Sequence, residues 1–388
     1  MISSRTKKKI AYVVTPVEFG GAERVSLNFL KHVDRNKFQI YPILFFRPWE
    51  ADSIFLKELK KENYVVYKIP VSMRASLNER DRLWLVRCFK MLFLILLKER
   101  FNLIHTNGYF ADIITIPVAK VLRIPVISTC HGFIEDGWKL KRSNRIDRMM
   151  LRFSDRVIAV SQGIKHELLK SGLRESRIDV VLNAVQTDTD QGILMQDRYT
   201  KRRALDIGER DFVLGYVGRL SREKGIRYLL DAAGILFQRD IPVRVLIIGD
   251  GPAKKDFELI ARQKGWEDKV FFAGFQTDVK EWIPAMDVFV LPSLTEGTPM
   301  ALLEAMACRI PIVASSVGGV PQIVDSGKDG ILVAPGNPEE LAAGVMNLYN
   351  NHSLRESFVE AAYQKARSTF DIKNWTETIE SQYTEITR

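Results

Sequence analysis

The residues best equipped for chemistry lie in the run Leu291-Pro-Ser-Leu-Thr-Glu296-Gly297-Thr298-Pro299-Met300-Ala301-Leu-Leu-Glu304. An apolar strand is predicted to end at Leu291. After a short loop a helix is predicted to begin, with Thr298 as N-cap and Pro299 at the first position, where a missing N–H costs no hydrogen bond. The unpaired N–H groups of that turn and the positive end of the helix dipole make an anion site. Carboxylates next to it would repel phosphate, so Glu296 and Glu304 are better used as acceptors for neutral hydroxyls. The pattern suits a sugar nucleotide, with phosphate on the helix terminus and hydroxyl-bearing rings on the two glutamates. The structural alternative is an ordinary capped helix with a solvated Glu304.

A second run, Gly218-Arg219-Leu-Ser-Arg222-Glu-Lys224-Gly225, puts glycines and cations on another strand-to-helix turn. Gly218 permits close backbone approach, and Arg219 and Lys224 offer fixed positive charge to a diphosphate without a metal. Taken alone, the same run also describes a solvated loop. Further glycine-rich loops follow predicted strands at Gly249-Asp-Gly-Pro, Gly274-Phe275 and Gly318-Gly319, more than turn chemistry requires. In the first half, His131 follows an apolar run and His105 precedes Thr106-Asn107-Gly108. Both stand at carboxyl ends of predicted strands, where α/β sheets bind ligands; each could equally be a satisfied, partly buried imidazole. Glu23, after Gly20-Gly21, could take an acceptor hydroxyl or start the helix that follows. Asp188-Thr-Asp190 has the look of a metal site, but two carboxylates are too few for a dedicated Mg²⁺ or Mn²⁺ cage, and the run is read as linker.

The elements that must position these residues alternate along both halves. Predicted strands fall at 10–14, 40–46, 64–67, 103–105, 125–129, 156–160 and 178–182, then at 213–217, 243–248, 270–273, 288–291, 312–314 and 330–333. Continuous apolar strands separated by helices indicate parallel sheets covered on both faces. The expected architecture is α/β, two doubly wound domains with a cleft between them, joined by a stretch near 183–192 that lacks apolar periodicity.

A length of 388 residues fits two domains of ordinary size, and 46% hydrophobic content excludes a mainly disordered chain. The net charge of +10 is held unevenly: residues 1–190 carry 33 Lys and Arg against 20 Asp and Glu, and residues 191–388 carry 24 against 27. The basic half is expected to face something anionic, whether nucleic acid, a membrane surface or a phosphorylated substrate. Nucleic acid is disfavoured, because no helix-turn-helix, RNA-recognition or zinc-finger signature appears and the best motifs lie in the other half. Three widely spaced cysteines encode neither a disulfide framework nor a zinc knuckle. The apolar run from Ile10 to Val14 is too short for a signal peptide, and no run nears the roughly 20 apolar residues of a membrane span. A cytosolic location is expected.

With these residues assembled, the chain resembles the family-4 retaining glycosyltransferases of GT-B fold, the glycosyl transferases group 1. Gly20-Gly21-Ala-Glu23, His131-Gly132, Ser161, Asn183, Gly218-Arg219 with Lys224-Gly225, Gly249-Asp-Gly-Pro and the Glu296-x7-Glu304 pair come in the family's order over nearly the whole chain. The chain departs at Asn183-Ala-Val-Gln186, where the family commonly has Asn-Gly-Val-Asp. The resemblance implies an amino-terminal acceptor-binding domain over 1–186, to which a helix in 371–388 crosses back, and a donor-binding domain over 187–370, both Rossmann-like. It implies transfer from a nucleotide sugar, a UDP-sugar being expected, of hexosyltransferase type, with retention of configuration and without metal or cofactor. Arg219 and Lys224 would hold the diphosphate, Glu304 the ribose diol and Glu296 the sugar hydroxyls. The turn of Gly297, Thr298, Pro299, Met300 and Ala301 would bind sugar and phosphate, with Gly249, Gly274 and Phe275 also on the donor. Gly20 and Gly21 would close over the phosphates, and His131 would contact the C6 side of the sugar. No dedicated base is expected, since the departing phosphate can accept the acceptor's proton. Glu23, His105 and Asn107 are the acceptor-side candidates. A related sugar enzyme, such as a nucleotide-sugar epimerase or a phosphorylase, is the competing possibility.

The basic half also carries an amphipathic run at 80–100. Arg80, Arg87, Lys90 and Lys98 share one side, while Trp84, Leu85, Phe89, Leu92, Phe93 and Leu96 cover most of the remainder. It is read mainly as a sheet-covering helix with a basic stripe. A second basic stretch lies at 139–148. At about 1 kcal/mol per cation near an anionic surface, the two suggest docking on the inner face of the cytoplasmic membrane, where a polyprenyl-diphosphate-linked or other glycan acceptor would be met.

Overall fold

The alternation of apolar strands and helices resolves into two all-parallel sheets, one in each of two compact units, Met1–Leu182 with Ile372–Arg388, and Asn183–Asp371. The computed structural model describes residues 7–15, 20–46, 53–71, 82–133, 137–188, 190–239 and 241–387; Arg80 of the basic stripe lies outside them.

The first sheet holds β1 (Lys8–Val14), β2 (Phe38–Phe46), β3 (Tyr67–Pro70), β4 (Leu103–Asn107), β5 (Val126–Cys130), β6 (Arg156–Ala159) and β7 (Ile178–Val180), in the order β3-β2-β1-β4-β5-β6-β7. The order reverses between β1 and β4, which opens a switch point at their carboxyl ends. Alternate residues of these strands serve different helix layers. Ala11, Val13, Ile43 and Ile104 join Cys88, Leu92 and Leu96 of the helix Arg82–Glu99 and Ile114 of the helix Tyr109–Val121. Tyr12 and His105 face the other way, against Phe29 of the helix Gly21–His32. That second layer includes the helix Ile372–Ile386, whose Trp375 and Tyr383 pack on Phe29 with ring centroids at 6.1 and 5.7 Å. Glu380 of this helix accepts the Asp34 N–H at 2.7 Å.

The second sheet holds β8 (Phe212–Val217), β9 (Val243–Ile248), β10 (Val270–Gly274), β11 (Val288–Leu291), β12 (Ile312–Ser315) and β13 (Ile331–Val333), in the order β10-β9-β8-β11-β12-β13. Its switch point lies between β8 and β11. The amino ends of those two strands are tied by one carboxylate. Asp287 accepts the Val213 N–H at 2.8 Å and pairs with Arg198 at 2.6 Å and Arg202 at 3.0 Å, both on the helix Gln191–Ala204.

Three expectations are corrected. The third strand forms at Tyr67–Pro70 and not at 64–67, because Tyr64 spends its hydroxyl on the Leu30 carbonyl and the chain meets β2 only from Ile43 onward. The helix after β11 begins at Met300, so Pro299, whose carbonyl accepts the Leu302 N–H, occupies the cap position expected of Thr298. The run read as a linker is packed into the second unit. There the Val185 N–H donates to Phe370, Thr187 is buried, and Asp190 caps the helix Gln191–Ala204 by accepting the Gly192 N–H at 2.7 Å. Thr189, the middle residue of that run, lies outside the described residues.

Candidate active site

In the second unit the predicted residues gather on loops at the carboxyl edge of the sheet, and glycine backbones let those loops stack. Gly249 has φ +140°, and a Cβ there would stand 1.9 Å from the Gly218 carbonyl oxygen. Gly318 has φ +54°, and its Cβ would stand 1.8 Å from the Glu296 carbonyl oxygen. Backbone bonds fasten the layers: Gly249 N–H to Gly274, Leu220 N–H to Asp250, Leu294 N–H to Glu223 and Gly319 N–H to Gly297. The glycine runs singled out in the sequence are therefore contacts between loops, as well as turns.

Lys224 and Glu296 meet in this stack. The ammonium lies 2.9 Å from each carboxylate oxygen, with the lysine side chain 25% exposed and the glutamate 6%. The buried Ser293 donates its hydroxyl to Glu296 Oε1 at 2.7 Å. Arg219 is exposed on the neighbouring turn, whose shape is held by the Tyr216 hydroxyl donating to the Arg219 carbonyl at 3.1 Å. Burial first, then the Glu296 and Glu223 carboxylates, holds the Tyr216 phenol protonated well above its ordinary value, so it remains a donor.

Glu304 is only 5% exposed on the helix Met300–Ala307, which rules out the solvated helix face. Gly297, Thr298 and Pro299 lead into that helix, and the N–H groups of Met300 and Ala301 belong to its first turn, where no intrahelical acceptor exists. Asn183 donates from Nδ2 to the Thr298 carbonyl at 2.9 Å, which fixes the turn from behind. Gly274 and the 41% exposed Phe275 stand at the end of β10.

In the first unit Gly20, Gly21 and Glu23 follow β1, His131 follows β5, and His105 and Asn107 lie within β4 itself. Gly20 and Gly21 open the helix Gly21–His32, and Glu23 Oε2 accepts the Gly20 N–H at 3.0 Å, so Glu23 does serve the helix start. His131 is half-buried, with Nε2 3.4 Å from Asn107 Oδ1. Desolvation lowers its pKa to about 4, which leaves a neutral ring. His105 is corrected. At 1% exposure it is closed off from any acceptor, its Nδ1 2.5 Å from the Tyr383 hydroxyl and its Nε2 2.7 Å from Thr129 Oγ1. Burial, with His131 second, lowers its pKa to about 3. Ser293, Tyr216 and Glu223 carried no signal of their own in the sequence, since a serine or tyrosine beside a strand end is unremarkable until its partner is known.

A sheet switch point edged with cations, buried glutamates and a helix N-terminus has the groups to take a sugar nucleotide, on a fold of two Rossmann-like units. Residues 197–365 match the family described as glycosyl transferases group 1, and residues 19–189 match glycosyltransferase family 4. The chain belongs to these glycosyltransferases, of GT-B type. It is 27% identical to the UDP-Gal:alpha-D-GlcNAc-diphosphoundecaprenol alpha-1,3-galactosyltransferase of Escherichia coli, over 86% of each chain. It is 24% identical to the N-acetyl-alpha-D-glucosaminyl L-malate synthase of Bacillus anthracis, over 97% of this chain and 96% of that one. Anabaena HepE in complex with UDP-glucose shares the fold, with a TM-score of 0.83 at 23% identity over 97% of this chain and 99% of that one.

Proposed function

We propose that this glycosyltransferase moves a hexosyl-type sugar from a nucleotide sugar, a UDP-sugar above all, to a glycan or polyprenyl-diphosphate-linked acceptor. Transfer retains the anomeric configuration, needs no metal and serves surface polysaccharide or glycolipid assembly. The observation that carries this is the Lys224–Glu296 pair beside the first turn of the helix Met300–Ala307 and the buried Glu304. Charge on the departing diphosphate grows in the transition state, so Lys224 and Arg219 do most of their work there. The first-turn N–H groups assist them. Glu296 takes the sugar hydroxyls, Glu304 the ribose diol, and Gly249, Gly274 and Phe275 the remaining donor surface. Gly20, Gly21 and His131 serve the donor from the first unit, the neutral imidazole offering a hydrogen bond in place of charge. The leaving phosphate accepts the acceptor's proton. Asn107 and Glu23 remain on the acceptor side. The Escherichia coli relative, named for UDP-Gal as donor and a diphosphoundecaprenol-linked acceptor, supports both substrate classes.

The test is UDP release from UDP-glucose, UDP-galactose and UDP-N-acetylglucosamine in EDTA, followed by NMR of the product's anomeric proton. Turnover in EDTA to an α-product is expected; a β-product, or a strict metal requirement, overturns the corresponding part.

Membrane docking of the first unit has a specific support. The helix Arg82–Glu99 leaves Val86, Leu94 and Leu97 exposed by 62, 52 and 54%, among the exposed Arg87, Lys90 and Lys98. Apolar side chains flanked by cations suit the boundary of an anionic bilayer. Among the described residues no helix is long and apolar enough to cross a membrane. Co-sedimentation with phosphatidylglycerol vesicles and not with phosphatidylcholine vesicles is expected at low salt; equal partition refutes the charge-driven version.

A further inference from the structure

Lys224 is committed to Glu296 in this structure, yet the donor diphosphate needs the same ammonium. Both carboxylate oxygens of Glu296 lie 2.9 Å from Nζ. A diphosphate carries more charge than one carboxylate, so it draws the lysine away, and Glu296 then loses its cation at the moment it must receive the sugar. One bond to its carboxylate does not depend on Lys224: the Ser293 hydroxyl on Oε1 at 2.7 Å. Ser293 is fully buried two residues past β11, so no bulk water competes for that bond or replaces it.

We propose that Ser293 is a positioning residue that holds Glu296 Oε1 while Lys224 passes to the diphosphate, leaving Oε2 to accept a sugar hydroxyl. This rests on the donor assignment above and adds a residue to it. The loop supports the role. Leu294 N–H on the Glu223 carbonyl ties Ser293's loop to the Lys224 turn, so the two side chains stay in register when the lysine moves.

The experiment compares wild type, Ser293→Ala, Ser293→Cys, Glu296→Ala and the Ser293→Ala/Glu296→Ala double variant. Binding of UDP is measured alongside turnover of whichever of UDP-glucose, UDP-galactose or UDP-N-acetylglucosamine the wild type accepts. A hydrogen bond to a buried charged group corresponds to a loss of roughly ten- to a hundredfold. Ser293→Ala is expected to lose that much in kcat while UDP binding stays within about threefold, Ser293→Cys to fall between, and the double variant to match Glu296→Ala alone. Turnover of Ser293→Ala within twofold of wild type overturns the proposal. So does an additive double variant, or a parallel loss of UDP affinity and melting temperature, which would mark a structural serine. A wild type that binds neither UDP nor any of the three sugar nucleotides fails at the donor assignment itself, and the role of Ser293 falls with it.

Discussion

The hydroxyl of Tyr383, on the helix Ile372–Ile386, lies 2.5 Å from Nδ1 of His105 in the middle of β4. The two residues are separated by 278 positions, and both are buried among Tyr12, Phe29 and Phe38. A histidine with the look of a ligand-binding group is thereby the latch for a distant helix. Tyr383→Phe removes the latch while keeping the ring. It is expected to lower stability by about 1–2 kcal/mol, the cost of a buried unpaired polar group, with UDP binding unchanged. Denaturant unfolding monitors the first and calorimetry the second.

Acid should act through the same region. Unfolded histidine titrates at 6.5, whereas His105 and His131 are held at about 3 and about 4 in the fold. Between those values the unfolded chain binds more protons than the folded one, so stability is complete above pH 6.5 and falls as the pH drops toward 4. Unfolding free energy measured from pH 7.5 to 4.5 should show this decline. His105→Gln should reduce its slope by about one proton.

A carboxyl pair in the first unit predicts the opposite trend. Asp112 on the helix Tyr109–Val121 and Asp147 on the helix Gly137–Leu151 are both buried, and both are pushed above the usual carboxylate range, by burial first and for Asp147 by the facing Asp112 as well. The protonated form is favoured in the fold, so this contribution is full below the unfolded value of 3.8 and is lost as the pH rises through the folded values. Asp147→Asn keeps a donor for Asp112 without the second charge. Its melting temperature should exceed wild type at pH 8, with the gain gone near pH 4.

Gly318 separates backbone strain from loop contact. Alanine there meets both a φ of +54° and the Glu296 carbonyl oxygen, whereas Gly327, at φ +81°, has nothing within 4 Å of a Cβ. Gly327→Ala should cost about 1–2 kcal/mol through conformation alone and leave turnover intact. Gly318→Ala should displace Glu296 and reduce turnover at least tenfold. Paired unfolding and UDP-release measurements distinguish the two.

Glu296 pairs with Lys224, so under the proposed donor assignment it competes with the diphosphate for that ammonium. Glu296→Gln should therefore bind UDP more tightly than wild type, while turnover falls. Lys224→Ala should weaken UDP and lower turnover together. Isothermal titration with UDP decides both.

Much of this was legible in the residues. The strand runs recur near their predicted places because fully buried parallel strands must be continuously apolar. Glu296, Glu304 and the Arg219-to-Lys224 turn stand where strand ends and helix starts put them. What escaped notice depended on partners far along the chain. The run at 183–190 lacks periodicity, yet its backbone bonds to Phe370 and its Asn183 to Thr298. The basic stripe at 80–100 is legible, but not the exposed Val86, Leu94 and Leu97 within it, since periodicity does not reveal which face a neighbouring helix leaves uncovered.

By itself the sequence determined the class: alternating apolar strands and helices, cations and glutamates at strand ends, and glycines where side chains would collide. Those are local consequences of backbone geometry and hydrophobic periodicity. Only the tertiary structure decided that Lys224 rests on Glu296, that Ser293 holds the same carboxylate, and that His105 belongs to Tyr383. The Lys224 and His105 pairings join residues 72 and 278 positions apart, brought together by strand order and helix packing, and the three-residue step from Ser293 to Glu296 becomes a hydrogen bond only through the fold of their loop.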